Sequence, residues 1–214
     1  MRKLIFALAG ATAMTAASAA NATVFTGSTL GCFGPGCTVA NTSSPPGSGL
    51  TFNGGTFNQA DSNGFLAIGT GLNPATGTYT DTLGLITLSS LPSSWVNVPF
   101  SLQVSFSAPP GTSPGSALYT ALLNGSVSSD GAGGAFFDFD NTAQAFTFSG
   151  GSFSLFVNDL AVSAGAVNTP LNGVIRAQVA AVPEPATWGL MLLGFAGMGM
   201  LLRRRRRPHL LQLA

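Results

Sequence analysis

The central part of this sequence predicts an all-β fold, an antiparallel β-sandwich or jelly-roll-like domain. Three observations carry that expectation. Apolar and polar residues alternate over residues 100–107, Phe-Ser-Leu-Gln-Val-Ser-Phe-Ser, so one face packs and the other meets water. Glycine pairs and Asn-Gly steps punctuate short apolar runs, as tight primed turns require. No stretch of the middle carries a convincing amphipathic helical period.

Residues 1–20 read as a signal peptide. Arg2 and Lys3 supply the positive start, and Leu4 to Ala17 supply a short apolar run. Small residues follow at Ala17, Ser18, Ala19, Ala20 and Ala22, offering several A-x-A cuts between about Ala19 and Ala22. A retained anchor is the alternative, but the run is short for a span. Twin arginines are absent, which points to the general secretory route.

Residues 21–181 make the predicted β-sandwich ectodomain. Cys32-Phe33-Gly34-Pro35-Gly36-Cys37 is a compact unit whose Gly-Pro-Gly turns the chain back. Outside the cytoplasm its two cysteines are expected to form a local disulfide. Residues 50–57 and 146–153 each read as a hairpin around Gly-Gly, and share Thr-Phe, a small polar residue, Gly-Gly, a hydroxyl residue and Phe. Duplication and convergence on one turn solution both account for that likeness. Asn124-Gly125 marks a third hairpin after the apolar strand Ala117 to Leu123. Ile175, Ala177 and Val179 alternate with Arg176 and Gln178 in a further strand. Pro45-Pro46-Gly47 and residues 108–115 read as loops, the second either facing a ligand or making a surface excursion. Roughly nine to eleven strands result. A β-solenoid is the second choice, although no short period persists.

Charge is segregated along the chain. Arg2, Lys3 and Arg203 to Arg207 flank a middle that holds only Arg176 against Asp61, Asp81, Asp130, Asp138, Asp140 and Asp159. One arginine against six aspartates leaves the middle at about −5, which disfavours nucleic acid and anionic lipid. Aromatic content and low charge argue against disorder.

Few catalytic chemistries fit this residue set. Between Ala22 and Val182 there is no His, Lys or Glu, and His209 lies beyond the arginine cluster. A Ser-His-Asp triad, a Cys-His pair and a His-based zinc site are therefore excluded there. Aspartates alone remain. Asp138 and Asp140 are the close pair, on one face of a strand with Phe137 and Phe139 on the other. Asp81-Thr82-Leu83-Gly84 resembles an aspartic protease loop only faintly, and no second copy exists. The expectation is a protein that is not an enzyme and needs no cofactor. Asp130, Asp138, Asp140 and Asn141 form a weak Ca²⁺ candidate, with a solvated acidic rim as the alternative.

The C-terminal segment, residues 182–207, has three ordered parts. Val182-Pro183-Glu184-Pro185 is stiff, because each proline fixes φ and extends the residue before it. An apolar run over about 186–202 follows, predicted as one transmembrane helix rising about 25 Å. That falls short of a ~30 Å hydrocarbon core, so spanning needs local thinning or snorkelling arginines. Arg203, Arg204, Arg205, Arg206 and Arg207 set the topology with the β-domain outside. An ordinary single-pass anchor is the alternative. A short tail, 208–214, closes the sequence.

This order of parts resembles the PEP-CTERM sorting signal, and the likeness covers roughly Val182 to Arg207. The same segment is also labelled an ice-binding protein C-terminal domain, a name that describes a sorting tail and implies no ice binding. The tail after the arginines departs from the pattern. The resemblance implies an exosortase-type membrane protease-transpeptidase as partner, with Pro183, Glu184 and Pro185 as recognition residues. It also implies tethering at the inner membrane of a Gram-negative-type bacterium, then delivery to the cell surface or extracellular matrix. The expected role is structural or exopolysaccharide-associated, in biofilm. The competing expectations are a secreted Asp-dependent carbohydrate-active hydrolase and a structural subunit that self-associates by strand edges. Trp95 and Tyr119 are the aromatic candidates, besides Phe, for stacking on sugar rings; Trp95 fits the core better.

Overall fold

A computed structural model describes residues 22–46, 49–179 and 185–205. The predicted signal peptide, residues 1–20, and the tail, 208–214, lie outside the described residues, as does Gly47 of the first predicted loop. The chain divides into two compact units, one of them Asn21–Ala180.

The β unit opens with β1 (Val24–Phe33), β2 (Thr42–Ser43), β3 (Leu50–Asn53) and β4 (Thr56–Ala60). Short strands follow, β5 (Phe65–Ile68), β6 (Gly71–Asn73), β7 (Thr78–Thr80) and β8 (Leu85–Leu88). Two long strands come next, β9 (Ser93–Ala108) and β10 (Ser116–Val127), then β11 (Gly133–Phe139) and β12 (Gln144–Phe148). The unit ends with β13 (Gly151–Val157), β14 (Leu160–Ser163), β15 (Thr169–Pro170) and β16 (Gly173–Val179). Outside the β unit, α1 (Pro185–Arg205) is the single helix among the described residues.

The strands build a six-stranded sheet, β14-β11-β10-β9-β1-β4, and two four-stranded sheets, β12-β13-β16-β5 and β15-β8-β3-β2. β6 and β7 form a separate two-stranded ribbon. Every ladder is antiparallel, so the parallel coils of a solenoid are not present among the described residues. The strand count exceeds the nine to eleven expected. Four of the sixteen are two- and three-residue pieces, β2, β6, β7 and β15, too short to leave a periodic trace, and four-residue strands such as β14 supply the rest of the excess.

Alternation works as predicted in β9, where Phe100, Leu102 and Val104 are buried and Ser101, Gln103 and Ser105 face outward. The buried faces meet through phenylalanine rings. Phe153 of β13 lies 4.9 Å from Phe25 of β1 and 4.9 Å from Phe106 of β9, centroid to centroid. Phe100 of β9 meets Phe52 of β3 at 5.3 Å and Phe137 of β11 at 5.3 Å. Such edge-to-face pairs add about 0.5–1.5 kcal/mol each beyond the area they bury. Among them the Tyr119 hydroxyl of β10 donates to Leu155 O of β13 at 3.0 Å, a polar tie between two sheets.

Glycine signals divide into one success and two corrections. Residues 146–153 do form a hairpin, with Phe148 paired to Gly151, so the turn is Ser149-Gly150. Residues 50–57 do not. β3 pairs with β8 and β2, β4 pairs with β1, and Gly54-Gly55 carries the chain from one sheet to another. Neither glycine takes a positive φ. Their need is for space: a Cβ on Gly54 would lie 2.3 Å from Thr29 O, and one on Gly55 would lie 2.1 Å from Thr82 O. Asn124-Gly125 is likewise no turn. β10 runs through it, and the register against β9 shifts between Leu123 and Gly125. Opposite it Asn97 adopts a φ of 48° and donates its N–H to Asn124 Oδ1 at 2.8 Å, which marks a bulge. The true β10–β11 turn is residues 128–132, closed by Ser128 N to Ala132 O at 2.9 Å.

The loop after β9 is tied down, not free. Ser113 and Thr147 exchange both backbone hydrogen bonds at 2.8 Å, fastening it to β12. The Cys32–Cys37 disulfide is present, with Cα atoms 5.9 Å apart. Gly34 and Gly36 supply the left-handed φ values of 97° and 65° that bring the chain back, as the sequence predicts. The Gly31–Ala40 bridge closes the same excursion a second time.

Replacing both Cys32 and Cys37 with serine is expected to cost about 2 kcal/mol by loop-closure entropy, lowering Tm by roughly 4–8 °C. Scanning calorimetry of the variant checks this; an unchanged Tm would show that the Gly31–Ala40 bridge closes the loop without help.

Candidate functional site

Aspartates are the only acids in the β unit, and most of them serve the backbone. Asp61 is buried and accepts from Thr23 N and from Gly64 N, fastening the entry to β1. Asp81 accepts Asn58 N at 2.7 Å, and Asp159 accepts Phe139 N at 2.9 Å. Asp130 accepts the Ser128 hydroxyl and Ala132 N within the β10–β11 turn. The Ser128 hydroxyl first, and the Ala132 N–H second, hold its carboxyl below the ordinary carboxylate range.

The Ca²⁺ candidate does not assemble as one group. Asp130 occupies the turn before β11, whereas Asp138, Asp140 and Asn141 lie at the far end of that strand. The extended run from Gly133 to Asp138 alone spans about 17 Å, and Asp130 lies beyond its start in the turn. Among the described residues no three His, Cys, Asp or Glu side chains gather in a way that would hold a metal.

Asp138 and Asp140 do share a site. Both face outward, Phe137 and Phe139 face the core, and the two carboxylates line a depression of about 280 Å³ with Leu122 and Thr120. Asp140 accepts Thr142 N at 3.1 Å, while Asp138 has no hydrogen-bond partner among the described residues. A larger depression of about 530 Å³ lies between β4, β7 and the chain leading to β8. Tyr79 of β7, Asp81, Asn58, Thr26 and Thr56 line it over Gly54 and Gly55. Asp81 holds a left-handed φ of 56° there, and Thr26 Oγ1 donates to Asn58 Oδ1 at 2.9 Å. Its polar lining is hydroxyl, amide, one phenol and one carboxylate, beside Phe57, Leu85 and the glycine backbone.

Neither predicted stacking residue reaches this surface. Trp95 is 2 % exposed and Tyr119 is 1 % exposed, so both belong to the core. Tyr79 is the tyrosine that sequence reasoning missed. It sits in a three-residue strand between polar loops, where alternation gives no signal. Tyr119 has a different importance: burial, and secondarily the negative charge of Asp140, push its phenol well above the usual tyrosine range.

At the C-terminus Pro185 opens α1, a position where its missing N–H costs nothing. Pro183 and Glu184, and likewise Arg206 and Arg207, lie outside the described residues. Arg203 is exposed in the last turn, and the backbone of Arg204 and Arg205 completes the helix. Met191, Leu192, Leu193, Phe195, Met198 and Met200 are all exposed, so α1 shows large apolar groups around its whole circumference. Among the described residues no helix is long and apolar enough to cross a membrane.

Residues 181–207 match the family model of the PEP-CTERM protein-sorting motif. The chain thus carries that motif, which supports an exported protein sorted at the membrane and processed by an exosortase. No curated protein and no solved structure matches the chain.

The phenol of Tyr119 generates a pH test. Its folded pKa is raised, so the unfolded chain ionises first, and stability present below about pH 10 is lost as pH rises above it. Tyr119→Phe is expected to cost about 1 kcal/mol at pH 7 through the lost Leu155 bond, yet to flatten the decline between pH 10 and 11. Urea unfolding at several pH values reads both; equal alkaline slopes in the two proteins would refute the assignment.

Proposed function

We propose that this chain is an exported, non-enzymatic surface or matrix protein, released by an exosortase and associated with extracellular polysaccharide in biofilm. The observation that carries the reading is the sorting motif at residues 181–207. On this reading Pro183, Glu184 and Pro185 are a presented recognition peptide, stiff enough to be read at low entropic cost. On the same reading α1, which is not long and apolar enough to cross an unperturbed bilayer, is the membrane segment through local thinning of the bilayer and snorkelling of the arginines. A helix apolar on all sides requires an apolar surrounding, and lipid beside five arginines meets that need. Residues 1–20 would be the cleaved signal and 21–181 the ectodomain.

For the ectodomain we read a two-layer antiparallel sandwich, supported by the ring contacts between the six-stranded sheet and the two four-stranded sheets. Its surface offers little to a general acid–base mechanism, since residues 22–182 contain no His, Lys or Glu. The Tyr79 depression supports contact with neutral sugar instead. A second reading, an Asp-dependent hydrolase, rests on Asp138 and Asp140 lining one depression. Loss of glycan cleavage in Asp138→Asn would establish it; wild-type protein that cleaves no glycan in an activity screen favours the first reading.

Two outcomes test the main proposal. Intact mass of the surface-released protein is expected to show an N-terminus between about Ala19 and Ala22 and loss of α1. Replacing Pro183, Glu184 and Pro185 together with alanine should leave the unprocessed chain in the membrane fraction. Uncut chain found free in the cytosol would defeat the proposal. Ca²⁺ is expected to produce no saturable heat in calorimetric titration and no rise in Tm.

A further inference from the structure

The outer face of the sheet β12-β13-β16-β5 holds a depression of about 390 Å³ centred on Arg176. β16 is an interior strand, and Arg176 stands directly opposite Ser154 of β13 on one side and Phe65 of β5 on the other. One pleat along, Val174 stands opposite Phe156, and Asn158 lies just past the end of β13. Phe65 is 49 % exposed, an unusual placement for a large ring in a strand. Guanidinium, two aromatic rings, a hydroxyl and an amide therefore converge on one surface.

Arg176 is the only lysine or arginine in residues 22–179, against six aspartates. It nevertheless forms no ion pair among the described residues. Asp61, Asp81, Asp130, Asp140 and Asp159 are taken by N–H or hydroxyl donors, and Asp138 lines a depression on the other sheet. The single cation of the β unit is thus held unneutralised beside the exposed ring of Phe65 and the half-buried ring of Phe156.

We infer that this depression binds a carboxylate-bearing sugar, a uronic acid residue within a glycan of sparse charge. A guanidinium fork matches a carboxylate with two parallel hydrogen bonds. Phe65 and Phe156 offer apolar surface to the C–H face of a sugar ring, while Ser154 and Asn158 can bond its hydroxyls. The volume falls within the range of about 300–1,000 Å³ usual for small-ligand sites. Charge sets the density of the ligand: one cation on a unit of about −5 neutralises one carboxylate and repels a polyphosphate. An extended acidic peptide fits less well, because β16 is paired on both sides and has no free edge to add a strand to.

The inference rests on the proposed export only for where such a glycan is met, and binding in solution tests it apart from sorting. Full-length protein in neutral detergent is titrated calorimetrically with hexasaccharides alternating neutral hexose with glucuronate or galacturonate. Saturable binding is expected for at least one of them, weakened about tenfold or more by carboxyl reduction of the sugar and by Arg176→Gln. Arg176→Lys should retain part of the affinity, and Phe65→Ser should lose part. Arg176→Gln should keep the wild-type Tm, since the side chain is exposed and unpaired. The inference is overturned if no saturable binding occurs, if carboxyl-reduced sugar or Arg176→Gln binds equally well, or if an Asp-Glu peptide competes as strongly as the glycan.

Discussion

Phenylalanine rings meeting between sheets hold the β unit, and the rest of its chemistry depends on that contact. Phe153 and Phe100 act as two centres, one touching Phe25, Phe106 and Phe146, the other Phe33, Phe52 and Phe137. Truncating a ring of this kind to alanine typically costs about 3–5 kcal/mol, a large share of a domain's net stability. Cohesion of that order leaves no structural task for surface ion pairs, which typically contribute about 0–1 kcal/mol. A β unit with one arginine and six aspartates is tolerable for that reason.

The regular strands were legible because burial of one face imposes a period of two. β9 follows it over residues 100–105 and β16 over residues 173–178. The glycine pairs were not, and the cause is physical. Residues 51–57 and 147–153 have nearly the same pattern, yet one crosses between sheets and the other turns within a sheet. A glycine serves equally well for left-handed backbone and for close approach of another chain. Only the neighbours decide, and Thr29 O and Thr82 O, which press on Gly54 and Gly55, come from distant parts of the sequence. Asn124-Gly125 failed for a related reason: a bulge demands the same residue types as a primed turn.

Side chains with chemical potential were legible by type and not by place. Asp138 and Asp140 fell on one outward face as strand geometry requires, and that geometry is local. Asp130 does not join them, because its Oδ1 accepts two donors of its own turn, a demand set by the orphan donors of residues 128–132. Trp95 and Tyr119 drew notice as large aromatics, but size favours the core, and both are there. Tyr79 escaped because polar threonines surround it and no alternation marks its strand. Arg176 stood out in the charge count, while its relation to Phe65 and Ser154 depends on ladders that join residues far apart in sequence.

Charge distribution ties the two units to one physical logic. Basic residues near the ends of an apolar segment set its orientation, and the bias counts over about 15–20 residues on each side. Upstream of α1, that window holds Arg176 alone; downstream, Arg203 to Arg207 supply five. With α1 as the proposed membrane segment, a second lysine or arginine near residue 176 would erode the difference that sets its orientation. On the proposed membrane reading of α1, the scarcity of cations in the β unit keeps that difference large, independently of anything it binds. Arg176, without an ion pair among the described residues and beside the exposed ring of Phe65, is harder to assign to stability than to recognition, since a glutamine or threonine would fill the same strand position without adding a cation upstream of α1.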